Sequence, residues 1–277
     1  MRIALSQIVA DPDPGINLTK IKSCTEDAAA QGARVVVFPE ATMACFGIPL
    51  GPIAEPLDGP WAGAVRAIAR EAGVVVVAGM FTPAPDGRVT NTLLITGPGV
   101  ETHYDKIHLY DAFGFAESAT VAPGDRPVTF EVDGLTLGVA TCYDVRFPDL
   151  FLRLADDGAK AIVLPACWGA GPGKVEQWEL LVRARALDST SWVLACAMAD
   201  PRTAGREPIG KAPGGIGHSM VVSPLGEVRG RLGAESDLLV ADIDGDEVAA
   251  ARSAVPVLAG RRFHGVFAGG DQGPRAG

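Results

Sequence analysis

The chain has 277 residues, of which 48% are hydrophobic, and it carries a formal net charge of −9 with an isoelectric point near 5.0. This length and composition can bury a large core, and the negative charge argues against binding to nucleic acid or to anionic membrane surfaces. No apolar stretch reaches the roughly 18 residues that a membrane span needs. No linker-like segment divides the chain, so we expect one domain over residues 1–267 and a mobile tail over residues 268–277.

Helix-like and strand-like stretches alternate through the first third of the chain. Continuous apolar, β-branched runs predict buried strands, and apolar residues at helical spacing predict helices. Asn17 is the expected N-terminal cap of the first helix and Gly32 its stop. An apolar start followed at once by acidic, proline-containing sequence favours a strand over a signal peptide. In chain order the predicted elements are a strand at 3–10, a helix at 17–32, a strand at 33–39, a helix at 60–73 and a strand at 74–79.

The same pattern recurs after a stretch of predicted antiparallel strands. Turns are expected at Gly97-Pro98-Gly99 and Asp133-Gly134, and a turn at Pro224-Leu225-Gly226 predicts a hairpin over 219–241 that completes a second sheet. The other elements are antiparallel strands within 88–110 and 127–142, a helix at 148–158, a strand at 161–165, a helix at 174–190 and a strand at 192–198. Two such halves predict an α/β fold with two sheets packed face to face and helices outside, a four-layer α-β-β-α sandwich.

The five cysteines are widely spaced and odd in number, without a Cys-x-x-Cys pair. This usage indicates reduced thiols and a cytoplasmic location. Cys24, Cys167 and Cys196 are expected to act as small buried hydrophobic residues, whereas the role of Cys45 stays open. No pair of histidines has a metal-ligand spacing and no phosphate-binding glycine loop occurs, so we expect neither a metal nor an organic cofactor.

Three motifs place a chemically useful side chain at or after a strand-like run. Glu40 follows a buried strand, where a carboxylate can serve as a proton shuttle. Lys106 lies in a predicted strand, from which an inward-pointing ammonium can balance a thiolate and an oxyanion. Cys142 lies at a strand-to-helix turn, where we expect an exposed thiol beside free backbone N–H groups. The alternatives are a structural ion pair or cap for Glu40, a solvated Lys106 and a buried, inert Cys142.

The order, flanks and separations of these motifs resemble the carbon–nitrogen hydrolases of the nitrilase superfamily over nearly the whole chain. Similar segments occur at 115–118, 120–124, 178–181, 185–188 and 217–226. The resemblance implies the four-layer fold and a mechanism in which Cys142 attacks an amide and Glu40 transfers the proton. It also implies that Lys106 and the backbone N–H of Tyr143 stabilise the oxyanion. Glu117 would orient Lys106 or the substrate amide, unless it is a surface acid in a loop.

The segment that begins at Cys142 resembles amidases that act on small carboxylated amides. These include omega-amidases, which hydrolyse 2-oxoglutaramate and 2-oxosuccinamate, and deaminated-glutathione amidases. Arg146 is the candidate partner of a substrate carboxylate, with a structural ion pair to Asp144 or Asp149 as the equal alternative. Trp168 is expected to line the pocket. The expected partners are thus a small amide and, because such enzymes commonly pair through the face near the nucleophile, a second copy of the chain.

Three other functions stay open as hypotheses. An N-carbamoyl amino acid or amine hydrolase would use the same three residues. A Cys–His enzyme would need His108 or His218 as its base, although both are expected to hydrogen-bond the scaffold. A non-catalytic homo-oligomeric scaffold or binding module would use none of these side chains, and the presence of all three argues against it.

Overall fold

The computed structural model describes residues 1–262, so the end of the predicted domain and the predicted tail, residues 263–277, lie outside the described residues. The first part of the chain contains β1 (Arg2–Gln7), α1 (Pro14–Ala30), β2 (Val35–Val37), α2 (Pro60–Ala72), β3 (Val75–Pro83), β4 (Val89–Gly97), β5 (Val100–Asp105), β6 (Asp111–Ala112), β7 (Phe115–Ala116) and β8 (Val121–Ala122).

The second part of the described chain repeats the alternation of strands and helices. It contains β9 (Thr129–Val132), β10 (Leu135–Val139), α3 (Pro148–Asp156), β11 (Ala161–Ala166), α4 (Lys174–Ser189), β12 (Trp192–Ala197), β13 (Met220–Val222), β14 (Val228–Arg231), β15 (Asp237–Asp242), α5 (Gly245–Ala254) and α6 (Val257–Gly260). Short 3-10 helices lie at Gly51–Ile53, Glu117–Ala119, Cys142–Arg146 and Pro201–Ala204. Among the helices within residues 1–262, none combines the length and the apolar character needed to cross a bilayer.

Two large sheets share one plan. In the first, β1, β2 and β3 are parallel, β15 pairs antiparallel with β1, and β4 and β5 continue antiparallel beyond β3, with β8 beside β4. In the second, β10, β11 and β12 are parallel, with β9 antiparallel at one side and β13 and β14 at the other. β6 and β7 form a separate small hairpin. Each sheet therefore has three parallel strands at its centre, whose carboxyl ends lie at one edge.

Alternation along the central strands divides the apolar side chains among three packing layers. Val35 and Val37 lie in the core between the sheets, while Val36 packs with α1 and α2. In the second sheet Val163 belongs to the core between the sheets and Ile162 packs with α3 and α4. Because successive strand side chains point to opposite faces, one continuous apolar run covers both. The fold is the predicted four-layer α-β-β-α sandwich.

Several predicted element bounds differ from the structure. The predicted strand at 33–39 is only three residues long as β2, whereas the strand predicted at 74–79 continues to Pro83 as β3. Helix α1 ends at Ala30, and Gly32 follows with a left-handed φ of +81°, so the predicted stop is confirmed.

The N-terminal cap of α1 is Asp13, and the predicted cap, Asn17, is wrong. The carboxylate of Asp13 accepts the N–H of Gly15 at 2.7 Å. Asn17 is fully buried within the first turn. Its side chain bonds the backbone N–H and C=O of Asp11, both at 2.8 Å, and the carbonyl of Met43 at 3.0 Å. The side chain of Asn17 therefore does not cap the helix but connects the loop at Asp11 to the loop at Met43.

The predicted hairpin at 219–241 divides between the two sheets, so its assignment to the second sheet is wrong in part. The turn at 224–226 joins β13 to β14 in the second sheet, but β15 crosses to the first sheet and pairs with β1. The alternating side chains of β15 pack into the core between the sheets and against the α1–α2 layer, a pattern that fits either sheet. β15 pairs with the otherwise open edge of β1, and an ion pair at 2.9 Å joins Arg2 to Asp242.

Candidate active site

Glu40 lies just beyond β2, at the carboxyl edge of the first sheet. Its side chain is 1% exposed, and the next residue, Ala41, has a left-handed φ of +42°, so the chain turns sharply there. The turn presses the Glu40 backbone against Gly79 on β3, where an added Cβ would lie 2.8 Å from the Glu40 carbonyl oxygen. Only glycine fits at position 79. The close approach of the two backbones fixes the position of the Glu40 main chain, from which the carboxylate extends.

Lys106 directly follows β5, rather than lying within a strand as predicted. Its ammonium donates to Glu40 Oε1 at 2.9 Å and to Glu117 Oε2 at 2.9 Å, and the side chain is only 2% exposed. Burial disfavours the charged form, but the carboxylates of Glu40 and Glu117 raise the pKa of Lys106 well above its ordinary value. The residue is a buried lysine with two carboxylate partners, and the solvated alternative is wrong.

Asn91, on β4, is a site residue that the sequence analysis missed. Its side-chain amide donates to Glu40 Oε1 at 2.7 Å and to Glu117 Oε1 at 3.2 Å, so it bridges the two carboxylates. Glu117 is 5% exposed and also accepts the backbone N–H of Tyr110 at 2.6 Å, which excludes a surface acid. Asparagine is depleted in strands, so its presence in an otherwise apolar and threonine-rich strand was the available signal.

Cys142 follows β10 and begins the 3-10 helix Cys142–Arg146, with a left-handed φ of +49°. Such a backbone is uncommon outside glycine and marks a strained strand-to-helix turn. The residue is 7% exposed and lines a pocket, so the predicted exposed thiol is wrong. Burial, and then the negative charge of Glu40, raise the pKa of the Cys142 thiol well above its ordinary value, although Lys106 opposes this. The resting group is a neutral thiol, which needs a base before it can attack.

Asp144 joins the nucleophile turn to the lysine segment. Its fully buried carboxylate accepts the backbone N–H of Thr141 at 2.8 Å and the hydroxyl of Tyr104 at 2.7 Å. The other oxygen accepts the backbone N–H of His108 at 3.0 Å and lies 2.7 Å from its Nδ1. His108 is thus engaged with the scaffold. A single carboxylate therefore fixes the relative position of the two motifs, which come from different sheets.

Cys167 adds a further contact at the carboxyl end of β11. It is buried, as predicted for a small hydrophobic residue, but its backbone N–H also donates to Glu40 Oε2 at 2.8 Å and its thiol to the carbonyl of Pro213 at 3.3 Å. Both oxygens of Glu40 therefore have protein donors. We define the inner end of the pocket as five residues: Glu40, Asn91, Lys106, Glu117 and Cys142.

The pocket above the inner end has a volume of about 50 Å³, which suits a small substrate. Phe46, Leu50, Tyr110 and Phe115 contribute apolar walls. A second group of lining residues is what we call the outer end, defined as Tyr143, Arg146, Trp168 and Lys174. Lys174 is the second site residue that the sequence analysis missed, since a lysine after the glycine-rich stretch at 169–173 looks like an ordinary solvated one.

Arg146 is held at the outer end by aromatic stacking. Its guanidinium carbon lies 5.8 Å from the ring centroid of Tyr143 and 5.2 Å from that of Trp168, within the range of a cation–π contact. Nη2 donates to Gln177 Oε1 at 3.0 Å, and Nε is buried without a hydrogen-bond partner in the part of the chain described. No carboxylate of residues 1–262 lies within 4.0 Å of the guanidinium, so the predicted alternative of an ion pair with a neighbouring aspartate is wrong.

The site thus combines a thiol, a carboxylate and a fixed buried cation at one end with two cations at the other that have no carboxylate partner within residues 1–262. Proton transfer between sulfur and carboxylate, beside a positive charge that can hold an oxyanion, is the chemistry this arrangement supports. Within residues 1–262 there is no group of three or more His, Cys, Asp or Glu side chains that could hold a metal ion.

Comparison with known proteins gives consistent matches over nearly the whole chain. The model of a family described as carbon-nitrogen hydrolase matches residues 2–253. A Mycobacterium tuberculosis protein named only as a hydrolase is 57% identical over 265 residues, which cover 93% of this chain and 94% of that protein. The omega-amidase of Homo sapiens is 32% identical over 273 residues, covering 94% of this chain and 95% of that protein.

A solved structure is similar in fold over nearly the whole chain. The amidase from Nesterenkonia superposes with a TM-score of 0.78 at 27% identity, covering 95% of this chain and 94% of that one. That structure is of a mutant of the amidase, with the acetamide moiety of fluoroacetamide covalently added at the active-site cysteine.

Proposed function

Since the chain belongs to the carbon–nitrogen hydrolase family, we propose that it hydrolyses small amides that carry a carboxylate, with release of ammonia through a thioester on Cys142. Family membership makes it a hydrolase of carbon–nitrogen bonds other than peptide bonds, which removes the hypothesis of a non-catalytic scaffold. Substrates of the omega-amidase type, such as 2-oxoglutaramate and 2-oxosuccinamate, fit the proposal. The similarity to the human omega-amidase supports it.

The observation that carries the proposal is the opposite charge of the two ends of the pocket. At the inner end the two carboxylates of Glu40 and Glu117 exceed the single ammonium of Lys106, so the net charge there is negative. The outer end carries the cations of Arg146 and Lys174. The inner end repels an anion and the outer end attracts one. A carboxylated amide would therefore bind with its carboxylate outward and its neutral amide next to the thiol.

In the first chemical step Glu40 accepts the proton of Cys142 and the sulfur attacks the amide carbonyl. Both groups line the same pocket and the thiol is neutral at rest, which supports this assignment. The ammonium of Lys106 and the backbone N–H of Tyr143, in the first turn of the short helix, would stabilise the oxyanion that forms. A charge already fixed in place stabilises the transition state without reorganisation.

The tetrahedral intermediate then collapses, and Glu40 returns the proton to the leaving nitrogen, which departs as ammonia. The acyl group stays on Cys142 as a thioester. A water molecule then gives a proton to Glu40 and attacks the thioester carbonyl, which releases the carboxylic acid and restores the thiol with that proton. Glu117 would keep the ammonium of Lys106 in position through its hydrogen bonds at 2.9 and 3.2 Å.

A second candidate, the hydrolysis of deaminated glutathione, is favoured by a groove beside the pocket. The groove has a volume of about 420 Å³ and shares Phe46, Leu50, Phe115 and Thr120 with the pocket. A longer amide could extend from the pocket into this groove, with the same residues performing the chemistry. An N-carbamoyl substrate has no specific observation in its favour.

Ammonia release from a panel of amides tests the proposal, with Cys142→Ala as the blank. The panel contains 2-oxoglutaramate, succinamate, deaminated glutathione, an N-carbamoyl amino acid, a neutral aliphatic amide and a nitrile. We expect 2-oxoglutaramate or succinamate to be turned over best, and the variant to be inactive. Preference for deaminated glutathione would select the second candidate. Preference for the neutral amide or the nitrile would contradict recognition of a carboxylate.

We also propose that the chain forms a homodimer through the outer face of α4. Leu180 and Leu187 lie seven residues apart on this helix and are 69% and 47% exposed, and Leu225, next to the glycine that Leu187 contacts, is 56% exposed. Residues at this spacing share a helix face. The same helix supports the nucleophile turn, because Arg185 donates to the carbonyl of Val145 at 2.9 Å. Sedimentation of the native chain and of a Leu180→Asp variant would test this pairing.

A further inference from the structure

We propose that Lys174 is a second carboxylate-binding residue, and that with Arg146 it forms a two-cation clamp for the anionic end of the substrate. The inference rests on the proposed function, because it assigns the substrate's carboxylate to a pair of side chains at the outer end of the pocket. Carboxylates with two oxygens suit such a pair, since one oxygen can bond to each cation or both can share the guanidinium fork.

The position of Lys174 is fixed by the pocket itself. It is the first residue of α4 and lines the pocket together with Arg146 and Trp168. Its backbone carbonyl accepts the indole N–H of Trp168 at 3.1 Å, and the same indole stacks on Arg146. The backbone of Lys174 is therefore anchored to the ring that positions the arginine.

Neither cation has an acidic partner in the part of the chain that the structure describes. Over residues 1–262, Arg2, Arg34 and Arg88 each pair with an aspartate at 2.9 Å or less, which is the common state of arginine on this molecule. Among residues 1–262, no carboxylate lies within 4.0 Å of Arg146 or Lys174. The buried Nε of Arg146 also lacks a hydrogen-bond partner in this part of the chain. A buried donor without an acceptor is costly, and a substrate carboxylate would supply one.

The two cations are close enough to repel each other. Partial burial and then the positive charge of Arg146 lower the pKa of Lys174. An anion placed between them would relieve this repulsion and would also compensate the lost hydration. The electrostatics of the outer end are therefore unfavourable when it is empty and favourable when a carboxylate is bound.

Without a bound carboxylate, the ammonium of Lys174 contacts the ring of Phe113. The Nζ lies 3.8 Å from the ring centroid of Phe113, a residue that is 76% exposed at the tip of the β6–β7 hairpin and has a left-handed φ of +55°. A cation–π contact at an exposed site is weaker than a charge-assisted hydrogen bond to a carboxylate. A bound carboxylate would thus draw Lys174 away from the ring and into the pocket.

The test compares an anionic amide with a neutral one of the same shape. Succinamate and 4-oxopentanamide differ in the replacement of a carboxylate oxygen by a methyl group. In Lys174→Met we expect the ratio of kcat/KM for succinamate over 4-oxopentanamide to fall at least about tenfold, the effect of one charge-assisted hydrogen bond. Lys174→Arg should restore the ratio to within about threefold, because it keeps the charge. Lys22→Met, an exposed lysine on α1, should leave the ratio unchanged.

A binding measurement separates this inference from the proposed function. Calorimetry of succinamate with Cys142→Ala, with and without Lys174→Met, reports the clamp without any turnover. If the native enzyme hydrolyses succinamate but the ratio is unchanged in Lys174→Met, the clamp is wrong and the function stands. If no amide is hydrolysed, the function is wrong, and the clamp survives only if Lys174→Met weakens succinamate binding about tenfold. Equal binding by the two proteins, or none by either, overturns the clamp.

Discussion

The inner and outer ends of the pocket differ in how their charges are compensated. At the inner end the ammonium of Lys106 donates to two carboxylates, which also share the side-chain amide of Asn91. At the outer end Arg146 and Lys174 rest on aromatic rings, without a carboxylate within 4.0 Å among residues 1–262. The inner residues are almost completely buried, whereas both outer cations are partly exposed.

This difference separates a part of the site that is complete in the free protein from a part that is completed by the ligand. A buried ionic network is rigid when every member is satisfied, and removal of one member leaves an uncompensated buried charge. Partly exposed cations on aromatic rings repel each other while no anion is bound, and they gain charge-assisted hydrogen bonds when an anion binds. We therefore expect inner-end changes to affect both chemistry and folding, and outer-end changes to affect substrate choice alone.

The largest effect is expected from Glu40→Gln, which keeps the shape of the side chain and removes the base. Turnover of the best amide should fall about a thousandfold, within the range for loss of general acid–base catalysis. Initial rates of ammonia release would measure it. His108→Gln, which keeps a polar side chain next to Asp144, should retain most of the activity. The reverse order of effects would favour a Cys–His mechanism and contradict the role given to Glu40.

Lys106→Met should lower turnover about a hundredfold, because it removes the fixed charge beside the oxyanion. It should also lower the free energy of unfolding by about 3 kcal/mol or more, since two buried carboxylates lose their counter-charge. Urea denaturation would measure the second effect. In the double variant Lys106→Met/Glu117→Gln, part of the stability should return while the activity should not. A stable Lys106→Met protein would show that the inner end is less tightly coupled than its contacts indicate.

Arg146→Met should raise KM for succinamate about tenfold with a smaller change in kcat, and should leave the free energy of unfolding within about 1 kcal/mol of the native value. Arg146→Lys should recover only part of the loss, because an ammonium lacks the planar fork. Arg153→Met, which removes an exposed pair with Asp157, provides the matched control. A large loss of stability in Arg146→Met would remove the distinction between the two ends.

The smallest effect concerns alkaline pH. The pKa of the Cys142 thiol is raised above its ordinary value of 9.0, by burial and then by Glu40. The unfolded chain releases this proton near that pH while the folded chain retains it, so this contribution to stability is complete below pH 9.0 and falls as the pH rises. Between about pH 9 and pH 10, Cys142→Ala should lose about 1 kcal/mol less stability than the native chain. Cys24→Ala, whose thiol is only partly buried, should show a smaller difference, and equal slopes for all three proteins would refute the argument.

The architecture and the position of the reactive groups could be predicted from the sequence because both depend on local patterns. A continuous apolar run such as that before Glu40 indicates a strand covered on both faces, and a useful side chain at its end lies at the edge of a sheet. The same logic could not assign β15 to the correct sheet, because its alternation suits either one and the choice depends on the open edge of β1. Asn17 was assigned as a cap for a similar reason: its residue type fits, but its actual partners are remote in sequence.

The residues that the sequence analysis missed act through neighbours that are distant along the chain. Asn91 bridges carboxylates that are 51 and 26 residues away, and nothing in its own segment indicates them. Lys174 looks like a solvated lysine until Trp168 and Arg146 are brought beside it. The burial of Cys142 was also missed, because a turn at the end of a strand is exposed unless other loops cover it. Long-range packing, rather than local propensity, determines each of these three features.

Gly79 shows that a position without any side chain can be as restricted as the charged residues. The backbone of Glu40 occupies the space that a Cβ at position 79 would need. Any amino-acid substitution at this position would therefore shift the carboxylate to which we assign the proton transfer. Natural variation at this position is therefore expected to be as rare as at Cys142 itself. An engineer who repacks the apolar strand β3 for thermal tolerance would need to leave this one residue untouched.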